Sequence, residues 1–152
     1  MAQADVGKAP LEQINAAWRS LLAARRLYTL SPVPPVTPID SPILIVEDEP
    51  LIALDLHAAL CAVGAGIIAA TDAAEALRLI RRNEISAAVI DVKLGNRDSW
   101  DVCQALFHRR VPFLFYTGHA NADLLKAWPE VPVFAKPART SEVVACIGNL
   151  VR

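Results

Sequence analysis

The residues able to do chemistry in this chain fall in four places: the acidic run Glu47-Asp48-Glu49, the single Asp91, Thr117 and Lys136. Each directly follows a short apolar run, ILIV before Glu47, AAVI before Asp91, PFLFY before Thr117 and PVFA before Lys136. Carboxylates brought together repel one another unless a cation relieves them, and hard oxygen donors suit Mg²⁺, which keeps several waters and takes a phosphate readily. A hydroxyl and an ammonium supply what phosphoryl oxygens need, a donor and a positive charge. Glu47, Asp48, Asp91, Thr117 and Lys136 therefore outline a phosphoryl-transfer site with Mg²⁺ as cofactor. Taken singly, each has a plainer reading. Asp48 or Glu49 before Pro50 can cap a helix, a Thr before Gly118 can close a turn, and a Lys before Pro137 can be a solvated corner. In a chain only 20% charged, finding all of them at the ends of apolar runs outweighs those separate readings.

Something must bring these places together. After Pro42 the chain alternates short β-branched runs with longer helical patterns. Strands are expected at 43–46, 66–70, 87–90, 112–116 and 132–135. The segments between them read as helices: LIALDLHAALCAV, AAEALRLIRR, SWDVCQALFHRR, a weak NADLLKAW interrupted by Pro129, and finally TSEVVACIGNLVR. Strands apolar on both faces, each followed by a crossover-length helix, predict a parallel sheet covered on both sides. Right-handed crossovers then favour a flavodoxin-like (βα)5 doubly wound α/β fold with strand order 2-1-3-4-5. In that architecture ligands bind outside the carboxyl ends of the strands, which is where all four places lie.

Proline marks the domain boundary. Five of the twelve residues Ser31 to Pro42 are Pro, which favours an extended, semi-rigid linker over 31–42. Residues 1–30 precede it as a helical extension, with Leu11, Ile14, Trp18, Leu21, Leu22 and Tyr28 at spacings of three, four and seven. Such a helix is marginal alone in water, so its stripe docks on this domain, on a second copy to make a homodimer, or on a partner. The α/β domain is expected over 43–152.

Composition removes several classes of function. Fifteen basic residues nearly balance sixteen acidic ones for a net charge of -1, so nucleic-acid binding has no electrostatic footprint. The longest uncharged stretch, Leu56 to Thr71, falls short of the roughly 20 apolar residues that span a bilayer, and the N-terminus lacks a secretory pattern. No membrane insertion and a cytoplasmic location are expected. Cys61, Cys103 and Cys146 are far apart and read as small core residues, and the three histidines show no zinc-ligand spacing.

From Ile43 to Arg152 the chain resembles the response-regulator receiver domains of two-component signalling. ILIVEDEP resembles the first strand and acidic pocket of that family, AAVIDVKL its phosphoacceptor strand, FYTGH its switch threonine and FAKP its Lys followed by Pro. The resemblance implies that Asp91 accepts the phosphoryl group. It implies that Glu47, Asp48, Asp91 and the backbone carbonyl of Lys93 hold Mg²⁺, and that Thr117 and Lys136 bind phosphoryl oxygens. The implied donor is a sensor histidine kinase. PFLFYTGH further resembles the P-F-x-F-A-T-G-Y motif of the FAT GUY receivers, mostly stand-alone regulators that commonly partner kinases of the HWE and related classes. Here Tyr116 replaces the motif's Ala and His119 its final Tyr, Gly95 stands where many receivers have Pro, and Val133 where many carry a switch aromatic.

The expected function is a single-domain phosphorylation switch or phosphate sink, with Lys93 and His119 flanking the path of water to the acyl phosphate and so tuning its lifetime. Lys93 is further expected to pair with Glu47 or Asp48 and compete with Mg²⁺. The alternative is a Mg²⁺-dependent phosphohydrolase of the haloacid dehalogenase type, which needs a second Asp two residues after the first, where this chain has Lys93. A nucleotide enzyme lacks its GxxxxGK[ST] or GxGxxG loop.

Overall fold

The computed structural model describes residues 41–119 and 122–151. The expected N-terminal helix and the Pro-rich linker therefore lie outside the described residues, except for the linker's last two, Ser41 and Pro42. Seven strands and five helices follow in the order β1 (Ile43–Val46), α1 (Pro50–Ala62), β2 (Ile67–Ala70), α2 (Ala73–Arg82), β3 (Ala87–Ile90), β4 (Lys93–Leu94), β5 (Arg97–Asp98), α3 (Trp100–His108), β6 (Phe113–Thr117), α4 (Ala122–Ala127), β7 (Val133–Ala135) and α5 (Thr140–Leu150). Strands β2-β1-β3-β6-β7 form one parallel sheet. This is the expected 2-1-3-4-5 order once the short β4–β5 hairpin is set aside.

Alternation along each strand divides the core in two, because successive side chains in a strand point to opposite faces. Leu44, Val46, Ala88, Ile90, Phe113 and Phe115 face one side, where they pack with Ala76 and Ile80 of α2, Val102 and Leu106 of α3 and Leu124 of α4. Ile43, Ile45, Ala87, Val89, Leu114 and Tyr116 face the other, against Leu56 and Leu60 of α1 and Val143, Ile147 and Leu150 of α5. Both faces of the sheet are thus dry, which is why its strands read as continuous apolar runs rather than alternating ones. Trp128, only 1% exposed, follows α4 and packs edge-on against Phe107 and Phe113. It anchors a helix of six residues that has too few turns to stand on its own packing.

Helix starts follow local chemistry. Pro50 opens α1, where a missing N–H costs nothing. At α2, the Asp72 carboxylate accepts from the Glu75 N–H at 2.8 Å, and the Glu75 carboxylate reaches back to the Thr71 N–H at 3.2 Å. Ala76 and Ile80 then turn inward while Arg78, Arg81 and Arg82 face solvent. Asp72→Ala should cost about 1 kcal/mol of stability, the usual worth of such a cap, read as a lower urea midpoint with an unchanged slope.

Two expectations need correction. Cys103 is fully buried and Cys146 half-buried, but Cys61 is exposed on α1. That helix is apolar almost all round, so periodicity alone could not say which of its faces turns inward. The β4–β5 hairpin was also not expected. Its Lys93↔Asp98 and Leu94↔Arg97 pairs enclose a Gly95-Asn96 turn, and pairs this short leave almost no alternation to read.

Candidate functional site

Register brings the acids together. β1 and β3 are neighbours with Val46 opposite Ile90, so the residues that follow them, Glu47 and Asp91, emerge side by side at the carboxyl edge. The Asp91 N–H still donates to the Val46 carbonyl at 2.9 Å. Glu47 is 2% and Asp91 4% exposed, while Asp48 is exposed at the rim. One carboxylate oxygen from each of the three lies within 4.8 Å of the others.

Lys136 reaches this cluster from two strands away. β6 pairs with β7 so that Thr117 faces Ala135, and the Lys136 N–H donates to the Thr117 carbonyl at 2.9 Å. Its side chain passes Tyr116, with Nζ 5.6 Å from the ring centroid. Nζ then lies 2.6 Å from Glu47 Oε2, 2.8 Å from Asp91 Oδ2 and 3.6 Å from Glu49 Oε1. Burial pulls the ammonium towards its neutral form, but the hydrogen bonds and charges of Asp91 and Glu47 outweigh it and hold the Lys136 pKa above its ordinary value. Burial raises the Glu47 carboxyl, and the Lys136 and Glu49 hydrogen bonds only partly offset it. Sequence reasoning missed Tyr116 as the wall along which Lys136 runs; its place beside Thr117 was the available signal.

The plainer readings of the acids fail. Glu49 occupies the N-cap position of α1 without capping through its side chain. Its N–H instead donates to Glu47 Oε1 at 3.1 Å. Asp48 Oδ2 accepts from the Gly95 N–H at 2.9 Å, which ties the acidic rim to the turn of the β4–β5 hairpin. Gly95 has φ +62°, and a Cβ there would meet nothing within 4 Å. The left-handed backbone alone therefore asks for glycine. Proline at this position, common in the resembling receivers, would both forbid that φ and remove the donor to Asp48. Gly95→Pro should lower stability by about 2 kcal/mol and weaken divalent-cation binding, whereas Gly95→Ala should cost about 1 kcal/mol. Urea titration and calorimetric Mg²⁺ binding on both variants check this.

The remaining expected residues are placed differently. The Lys93 backbone N–H points to Asp91 Oδ1 at 3.4 Å. Its side chain is exposed and, among the described residues, forms no ion pair. The expected pairing of Lys93 with Glu47 or Asp48 is thus corrected: the ammonium on Glu47 belongs to Lys136. The reason is direction, because Lys93 lies on a hairpin strand whose alternate residue, Leu94, takes the buried side. Thr117 is buried, and its hydroxyl accepts from the His119 N–H at 3.1 Å and lies 3.3 Å from the His119 carbonyl. It is engaged in the turn, with its hydroxyl on the His119 backbone rather than on Asp91 among the described residues. The His119 side chain is exposed beyond it.

Three carboxylates, Glu47, Glu49 and Asp91, thus converge on one ammonium, and a fourth, Asp48, lies beside Glu47 and Asp91 at the rim. Two of the four are buried. The excess negative charge and the all-oxygen donor set fit a hard divalent cation such as Mg²⁺.

A model of the response regulator receiver domain matches residues 43–145, and the chain belongs to that family. Receivers are signalling phosphoacceptor domains rather than typical enzymes, and they take phosphoryl groups from histidine kinases; this chain carries the receiver domain of a two-component response regulator. It is 34% identical over 82 residues to a probable transcriptional regulator, ycf27, of Porphyridium aerugineum, a match covering 53% of this chain and 34% of that protein. The chain thus spans about a third of that relative's length. A response regulator receiver protein from Sinorhizobium medicae superposes with a TM-score of 0.66 at 21% identity, covering 74% of this chain and 96% of that one. The receiver domain of sensor histidine kinase PA1611 from Pseudomonas aeruginosa, solved with a magnesium ion in its active-site cleft, superposes with a TM-score of 0.64 at 24% identity, over 73% of this chain and 97% of that one. These superpositions establish the shared fold. No helix among the described residues is long and apolar enough to cross a membrane.

Proposed function

We propose that Asp91 of this chain accepts a phosphoryl group from a sensor histidine kinase, and that the phosphorylated form signals through a protein contact or drains phosphoryl groups from the kinase. The observation that carries this reading is the placement of Lys136 Nζ, 2.8 Å from Asp91 Oδ2 inside a pocket of carboxylates. An Asp91 oxygen attacks the donor's phosphorus in line, the P–O bond to Asp91 forms as the bond to the leaving group breaks, and Lys136 exchanges a carboxylate oxygen for a phosphoryl oxygen. Glu47, Asp48, Asp91 and the Lys93 carbonyl are the proposed holders of Mg²⁺, which when bound neutralises charge on the phosphoryl oxygens. Thr117 gives up its turn contacts with His119 to donate to another phosphoryl oxygen. That exchange couples phosphorylation to the 117–119 segment. Membership of the receiver family, and the exposed Lys93 where a phosphohydrolase needs its acid/base Asp, support this reading over the phosphohydrolase alternative.

PFLFYTGH supports assignment to the FAT GUY group and, with it, an HWE-type kinase as donor. Lys93 and His119, two residues after Asp91 and Thr117 and both exposed, are the proposed side chains that set how fast water reaches the acyl phosphate. His119→Ala is expected to change the decay rate of phospho-Asp91 while leaving its formation unchanged, measured by phosphate release after removal of the donor.

Incubation with acetyl phosphate and Mg²⁺ tests the main reading. One phosphoryl group per chain, mapped to the Asp91 peptide and dependent on Mg²⁺, supports it. Continuous turnover of phosphomonoesters without a trapped phosphoprotein would count for the hydrolase.

A further inference from the structure

The outer face of α1 is apolar from end to end. Leu51 is 81% exposed, Leu54 64%, and Val63, the residue capping the helix, 51%. Val133, at 46%, is the one other large apolar side chain exposed among the described residues. Leu51, Leu54, Ala58 and Cys61 follow at spacings of three, four and three, all exposed, which is the seam of a helix built to pack along another helix at a shallow angle. Asp55 and His57 flank the seam and the helix contains no Lys or Arg. Nothing among the described elements lies over it. Residues 11–28, outside the described residues, repeat the same spacing in Leu11, Ile14, Trp18 and Leu21 over the same length.

We propose that residues 11–28 form a helix that lies antiparallel along the outer face of α1 in the same chain. The point where the chain enters the domain makes this the natural occupant. The carbonyls of Ser41 and Pro42 accept from Ser86 Oγ and N at 2.6 and 3.0 Å, and Pro42 lies against Gly66, just past the end of α1. The linker of residues 29–40 spans up to roughly 37 Å when extended as polyproline II, and α1 is roughly 20 Å long, so the segment reaches either end of it. A tether this short holds the segment at an effective concentration in the millimolar range, which favours its own domain over a second copy.

Charge sets the direction. Antiparallel pairing puts Leu11 beside Cys61, Ile14 beside Ala58, Trp18 beside Leu54 and Leu21 beside Leu51. It carries Arg25 and Arg26 past the start of α1 to the exposed carboxylates of Asp48 and Glu49. The parallel arrangement sends both arginines to Val63–Gly66, which has no carboxylate.

Cys61 makes the test direct, since of the other thiols Cys103 is buried and Cys146 half-buried. In the full-length protein, Trp18→Asp puts a charge into the seam and should speed maleimide labelling of Cys61 by at least about tenfold. Trp18→Leu should label at the native rate, and protection should not vary with protein concentration. Under mild oxidation Leu11→Cys should join Cys61 within one chain, whereas Leu21→Cys should not. Equal labelling of native and Trp18→Asp proteins overturns the proposal. So does protection that grows with concentration alongside a dimer in light scattering, which makes the occupant a second copy. A Cys61 link from Leu21→Cys overturns the antiparallel pairing.

Discussion

Asp91→Asn protein is expected to take up no phosphoryl group from acetyl phosphate and Mg²⁺ under conditions where the native chain is labelled, a loss of at least about a hundredfold. The amide oxygen is not nucleophilic and carries no charge. The substitution also removes one member of the carboxylate set that fits the cation and one of the three carboxylates held by Lys136. Volume and shape are nearly conserved, and Glu47 at 2.6 Å still holds Lys136 in place. The variant should therefore melt close to the native protein, and lost labelling cannot be ascribed to unfolding. Labelling of Asp91→Asn at the native level would falsify the assignment.

The second large effect is expected at Lys136. Its ammonium is the cation that contacts Glu47 and Asp91 among the described residues, and both carboxylates are buried. Lys136→Met keeps the stem along Tyr116 but leaves these two charges facing each other with their counter-charge gone. Breaking a buried pair from one side costs several kcal/mol; here, where the pocket opens to solvent at Asp48, about 2 kcal/mol is expected without divalent cation. The same vacated charge should tighten Mg²⁺ binding by about tenfold, equivalent to about 1.4 kcal/mol. Mg²⁺ should then recover most of the lost stability. Asp91 remains, so labelling by acetyl phosphate should persist while the response of the 117–119 turn is lost. Lys93→Ala is the internal control: its exposed ammonium makes no ion pair among the described residues, so Mg²⁺ affinity should stay near native. Unchanged Mg²⁺ affinity in Lys136→Met, or tightening in Lys93→Ala instead, would reverse the roles assigned to the two lysines. Calorimetric titration and thermal melting with and without Mg²⁺ measure all of this.

The sequence by itself determined the sheet, its order and the four places where chemistry could occur. ILIV, AAVI and FLFYT are apolar at every or nearly every position because both faces of a doubly wound sheet are dry, and the signal survives without knowledge of neighbours. Asp91 and Lys136 were legible for a related reason: charge directly after such runs has one edge to go to. Tertiary structure alone decided which partner each group takes. Two lysines were available to the acids, and only the β6–β7 register and the wall of Tyr116 bring Lys136 to Glu47 and Asp91, while Lys93 is turned to solvent. The bond from Gly95 to Asp48 joins residues 47 positions apart, and neither propensity nor periodicity reaches across that distance. The burial of α1 was undecidable for a different reason. A helix apolar on nearly every face carries no amphipathic direction, so only its packing on β1 shows that Leu56 and Leu60 turn inward and that Leu51, Leu54 and Cys61 face out.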